Sequence, residues 1–120
     1  MPKQPSKNRQ TQGQQPEPAQ IKAVERLIGT RDFPKAAERA RALVERFPKH
    51  SAANRLLVDA FFQAGNGPAA ALAAYQWAQR RPNSLTAQRA LFQLALEGEH
   101  LVLAYRTALR LGELDPNAAG

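Results

Sequence analysis

The chain contains no cysteine. That absence excludes a disulfide framework, a thiolate zinc site and a thiol nucleophile. No run approaches the roughly 18 apolar residues of a membrane span. No apolar stretch of roughly 7–15 residues follows the basic start, so the pattern of a secretory signal is missing and a cytoplasmic protein is expected. Acidic residues are scarce: 10 Asp+Glu stand against 17 Lys+Arg, for a formal charge of +7. That balance keeps acidic partners and nucleic acid in view. The motifs of catalysis are missing too, with no Gly-rich phosphate loop, no H-E-x-x-H and no G-x-S-x-G. His50 and His100 lie near expected helix ends with no acidic or nucleophilic partner at motif spacing. The sequence therefore predicts a non-enzyme with no cofactor and no metal.

What is present divides into an arm and a repeat. Residues 1–18 hold four prolines and five glutamines but no branched aliphatic or aromatic residue. Such a stretch buries too little apolar surface to offset its ordering entropy, so a disordered basic arm of charge +2 is expected there. Beyond it the prolines keep time. Pro48, Pro82 and Pro116 are spaced 34 and 34, and Pro34 and Pro68 share that interval. Ala36, Ala70 and Ala104 form a further column, as do Ala40, Ala74 and Ala108, and Leu43, Trp77 and Leu111. The units are 17–50, 51–84 and 85–118, within a repeat domain spanning 19–118.

Each unit reads as two helices. In the second, Ser51 is expected to cap a helix that runs to Gly65, and Asn66 with Pro68 opens the next, which stops near Pro82. In the third, a helix from Ser84 to Glu97 breaks at Gly98 and a second spans Glu99 to Leu114. In the first, Ala19 to Ile28 is followed by Gly29, and Asp32 with Pro34 opens a helix ending near Phe47. No window of strict alternation predicts a strand.

These residues resemble the tetratricopeptide-repeat family, in a bacterial style, with three repeats over about 85% of the chain. The stretch GTRDFPKAAERARALVERFP and the closing prolines carry the likeness. The resemblance implies an all-α fold: a right-handed α-solenoid of three stacked helix-turn-helix repeats. Departures are specific. The family's first-helix Trp is Gln20, Asn54 and Gln88, its Phe is Ala in all three units, and its later Ala is Leu43, Trp77 and Leu111. The last two read as compensation, a large side chain displaced along the helix. Trp77 and Phe61 are expected in the core, and Tyr75 and Tyr105 on the outer helices.

Polar residues on otherwise apolar first helices form stripes. Ser51, Arg55, Asp59 and Gln63 follow i, i+4, i+8 and i+12, and Arg89, Gln93 and Glu97 repeat them one period later. The resemblance places first helices on a concave surface. The expected groove carries Arg55, Asp59, Gln63, Arg89, Gln93 and Glu97, with Phe62 and Leu96 beside them. Two arginines in register can grip a carboxylate or a phosphate by forked hydrogen bonds. The bland alternative is an internal Arg–Asp i, i+4 pair on a solvated face. The family's clamp for chaperone tails is not matched, because Glu25 and Asp59 stand at its Asn positions. The last helix is unusually apolar, so Leu103, Tyr105 and Leu109 are the candidate docking end for a partner or a second copy of the chain.

The expected role is a non-catalytic interaction scaffold for a protein or peptide, with acidic groups as the arginines' natural partner. A recruiting segment of a larger enzyme is one alternative. Nucleic-acid association is another, weakened because Arg39, Arg41, Arg46, Arg80, Arg81, Arg106 and Arg110 sit on second helices without an aromatic ladder.

Overall fold

A computed structural model describes residues 15–115 of the chain. Residues 1–14 of the expected arm and the closing Pro116 to Ala118 of the third unit lie outside the described residues. Six helices follow in chain order: α1 (Pro18–Gly29), α2 (Phe33–Arg46), α3 (Ser51–Gln63), α4 (Gly67–Arg80), α5 (Leu85–Glu97) and α6 (Leu101–Leu114). There is no strand among the described residues. Each helix packs on its chain neighbours, and α1 also packs on α3. The result is a stack of three hairpins, an α-solenoid built from tetratricopeptide-like units.

The turn inside each hairpin is the same object three times. Asp32 N–H donates to the Leu27 carbonyl, Asn66 N–H to Phe61 and His100 N–H to Ala95, at 2.8, 2.9 and 2.8 Å. Each spans five residues back and closes a Schellman motif, which satisfies carbonyls left open at a helix end. The motif needs one left-handed residue. Arg31, Gly65 and Glu99 supply it, with φ of 65°, 82° and 61°. These three positions are again 34 apart. Only the middle one is glycine; the neighbouring Gly29 and Gly98 are not the left-handed residues. This corrects the expected start of the last helix. Glu99 belongs to the turn, and α6 begins at Leu101 with His100 as its N-cap.

A second correction concerns α3. Its N-cap is His50, not Ser51. The imidazole Nδ1 accepts from the Ala53 N–H at 3.2 Å. Burial pushes the His50 pKa below its ordinary value, which favours the neutral ring that can accept this bond. In α4 and α5 the side chains of Asn66 and Ser84 cap as the sequence suggests.

The core lies between the two helix layers. Ala36, Ala40, Ala70 and Ala74 are fully buried, and these small side chains let helices approach closely. Trp77 is fully buried between them and Leu43 nearly so, in keeping with the displaced bulk. Phe61 is half-buried against this core, under the Arg41 guanidinium at 5.5 Å.

In the second and third units the polar residue at the family's Trp position ties the hairpin to the loop before it. Asn54, only 2% exposed, donates through Nδ2 to the carbonyls of Pro48 and His50 at 2.9 and 2.8 Å. Its Oδ1 accepts from Arg80 Nη2 at 2.7 Å. Arg80 Nε donates to the same Pro48 carbonyl at 2.9 Å. In the next unit Gln88 Nε2 donates to the Pro82 carbonyl at 3.2 Å, and Arg110 Nε reaches that carbonyl at 3.3 Å. In the first unit Gln20 accepts from the Glu17 N–H at 3.0 Å. Burying an amide is costly unless it is bonded, and here the bonds weld successive units.

Candidate functional site

The first helices do not pack evenly along the stack. α1 packs on α3 more closely than α3 packs on α5, and an open cleft of about 460 Å³ lies between the latter two. From α3 its wall is Arg55, Val58, Asp59 and Phe62. From α5 it is Thr86, Ala90, Gln93, Leu94 and Glu97. Trp77 of α4 lies beneath it, fully buried. A smaller cleft of about 310 Å³ shares Phe62, Leu94 and Glu97 and extends to Gly67, Pro68 and His100, at the hairpin-turn end.

Of the eight expected groove residues, Arg55, Asp59, Phe62, Gln93 and Glu97 line this cleft, whereas Gln63, Arg89 and Leu96 do not. Gln63 stays at its edge, where its Nε2 donates to Asp59 Oδ1 at 2.9 Å. Gln93 Nε2 donates to Glu97 Oε2 at 3.1 Å in the same i, i+4 arrangement. Each wall thus carries a carboxylate steadied by an amide one turn away.

Arg89 is not part of the cleft lining. Its Nη2 lies 3.7 Å from Asp115 Oδ2. The two arginines are in register along the sequence, but one is drawn to the far end of the stack. Arg55 differs. The alternative Arg55–Asp59 pair does not form; Asp59 accepts from Gln63 instead. Arg55 has no hydrogen-bond or ion-pair partner among the described residues and is exposed on the cleft wall.

Sequence reasoning missed what lies beneath the cleft. Trp77 was expected in the core, and it is there, directly under the lining side chains. Its indole N–H is buried without a hydrogen-bond partner among the described residues. Buried indole N–H groups usually find one. The signal available in the sequence was its column, Leu43, Trp77 and Leu111, in which only the middle member carries a polar atom.

The candidate docking end is placed differently for its three members. Tyr105 and Leu109 are 67% and 54% exposed. Leu103 is half-buried against the core instead. Leu101 and Val102, at 67% and 70%, complete the exposed face. Leu111 occupies the column of Leu43 and Trp77 but is only half-buried, since no further helix lies on it among the described residues. Leu101 and Val102 also border a groove of about 560 Å³ with Leu72 and Tyr75 of α4.

No group of three His, Asp or Glu side chains among the described residues is arranged to hold a metal ion. No helix among them is long and apolar enough to cross a membrane.

A hairpin solenoid with an open groove between first helices defines a class of helical-repeat proteins. The tetratricopeptide-repeat family model matches residues 21–85, just over half of the chain. The chain belongs to the tetratricopeptide-repeat family. No curated protein and no solved structure matches it.

Proposed function

We propose that this chain is a non-catalytic protein-interaction module that receives a segment of a partner protein in the cleft between α3 and α5. Repeats of this family generally mediate protein–protein interaction. The observation that carries the proposal is Arg55, without a partner among the described residues, on a cleft wall beside the exposed Phe62. An unpaired cation beside apolar surface supplies an orienting contact and a place for buried area. A partner segment with acidic groups fits that contact.

The wider charge argues less for nucleic acid than its size suggests. Arg80, Arg81 and Arg110 are spent on loop carbonyls, and Arg41 and Arg46 lie over Phe61 and Phe47. Few of the second-helix arginines remain to follow a phosphate backbone.

Affinity capture from a lysate, with wild type and Arg55→Glu compared side by side, tests the proposal. A protein held by wild type and lost from the variant, with unchanged helical circular dichroism, is the expected result. Undiminished capture by Arg55→Glu contradicts it. The exposed face of α6 favours a second mode, docking of a partner or another copy through Tyr105 and Leu109. Capture that survives Arg55→Glu but fails in Tyr105→Glu assigns the interaction to that face.

A further inference from the structure

We infer that two copies of this chain pair through α6, antiparallel about a two-fold axis at Tyr105; this rests on the exposed α6 face being a docking surface. The two ends of the described stack present opposite surfaces. At the first end, Lys22 and Arg26 of α1 are exposed. The repeat puts Leu56 and Ala60 of α3, then Ala90 and Leu94 of α5, at the same positions. Ala90 and Leu94 face the preceding unit across the cleft, and Leu56, Ala60 and Leu94 are buried. Cations in their place give α1 the polar outer face that closes a solenoid. The other end lacks such a face. Ala37 of α2 and Ala71 of α4 share one position and are half-buried, and Ala71 borders Val102 and Leu103 of the next second helix. In α6 that position is Tyr105. Tyr105 is more than half exposed, as are Leu101 and Leu109 one turn to either side.

The order of the stripe selects its occupant. Leu101, Tyr105 and Leu109 follow i, i+4 and i+8, a row about 12 Å long. Leucine–tyrosine–leucine is the same in both directions. A second α6 laid antiparallel sets Tyr105 on the partner's Tyr105 and Leu101 on the partner's Leu109. That self-complementarity is what a two-fold interface requires. With Val102, these side chains expose about 500 Å² per copy, so a pair covers about 1,000 Å², where specific interfaces begin. Arg106 lies off the stripe, on the groove toward Leu72 and Tyr75, so no charge is buried at the axis. A head-to-tail contact has no such match. It would press the apolar stripe toward Lys22 and Arg26, and burying cations against apolar side chains is costly. The pairing therefore closes at two copies.

Sedimentation of the full chain across the micromolar range is expected to show monomer passing to dimer and stopping there. Tyr105→Glu enters a two-fold pair twice and should weaken the dimer at least about a hundredfold, with helical circular dichroism unchanged. Introduced thiols read the orientation, since the chain has no cysteine. Tyr105→Cys should oxidise to a disulfide across the axis. Leu101→Cys alone should not, because its two thiols lie about 12 Å apart along the helices, beyond disulfide reach. Mixed with Leu109→Cys, it should form the mixed disulfide. A chain that stays monomeric, one that grows into longer assemblies, or a dimer indifferent to Tyr105→Glu overturns the inference. Ready oxidation of Leu101→Cys by itself, the mark of parallel pairing, also overturns it. A monomer that captures another protein and loses it in Tyr105→Glu overturns the pairing and leaves the face as a docking surface for a different partner.

Discussion

Asn54 offers the sharpest test of how the units are held together. It replaces the large aromatic that the family places there, yet it is 2% exposed and fully bonded. Asn54→Ala removes two neutral hydrogen bonds, worth about 1 kcal/mol each, and one to a guanidinium, worth about 1.5–3 kcal/mol. Two effects soften the loss. The Pro48 carbonyl keeps Arg80 Nε as a donor, and the part-exposed Arg80 Nη2 regains water. A net cost of about 3 kcal/mol is expected. The equivalent Gln88 makes one side-chain bond, at 3.2 Å, so Gln88→Ala should cost about 1 kcal/mol. Urea unfolding of both variants measures the two costs, and an unchanged m-value validates the comparison. Combining Asn54→Ala with Arg80→Ala should show a coupling of about 1.5 kcal/mol or more. Equal costs for the two variants, or a vanishing coupling, would refute the staple as the reason a polar residue sits there.

Other expectations follow from single positions. Glu99→Gly and Arg31→Gly relieve a left-handed side-chain residue and should each raise stability by about 1 kcal/mol, whereas Gly65→Ala should lower it by a similar amount; thermal unfolding reads all three. The folded-state pKa of His50 is lowered by burial, so its contribution is complete above 6.5 and is lost as pH falls from there through the lowered value. Urea midpoints across that range should therefore drop on acidification, and His50→Ser, which keeps a cap, should flatten that part of the slope. Leu101→Glu with Tyr105→Glu breaks the exposed face of α6 and should reduce apolar-dye binding with less than about 1 kcal/mol of lost stability.

Much of the architecture was legible because it is periodic. Prolines and alanines 34 residues apart marked the units, and the helix pairs fell where those residues placed them. The turns were harder. Glycine draws the eye to positions 29 and 98, but hydrogen-bond geometry sets the left-handed residue, and it falls on Arg31 and Glu99. His50 and Ser51 are adjacent candidates for one cap, and only the backbone distinguishes them. Asn54 and Gln88 read as departures from the family. Their meaning lay six residues upstream, at Pro48 and Pro82, whose carbonyls they hold.

The candidate groove was legible as stripes, since a helix puts residues four apart on one face. What the stripes could not show was pairing. Arg55 with Asp59 is an ordinary i, i+4 pair by spacing, yet Asp59 engages Gln63. Arg89 with Asp115 is a contact between distant parts of the chain. Those two choices leave Arg55 as the cation facing the cleft.

The absence of cysteine makes the central claim directly testable. A thiol introduced by Gln93→Cys is unique in the chain and can carry a photo-crosslinker at the cleft wall, and Tyr105→Cys does the same on α6. Crosslinking of a captured partner from Gln93→Cys, and not from Tyr105→Cys, is the predicted result. Crosslinking from Tyr105→Cys alone would contradict the cleft as the binding site.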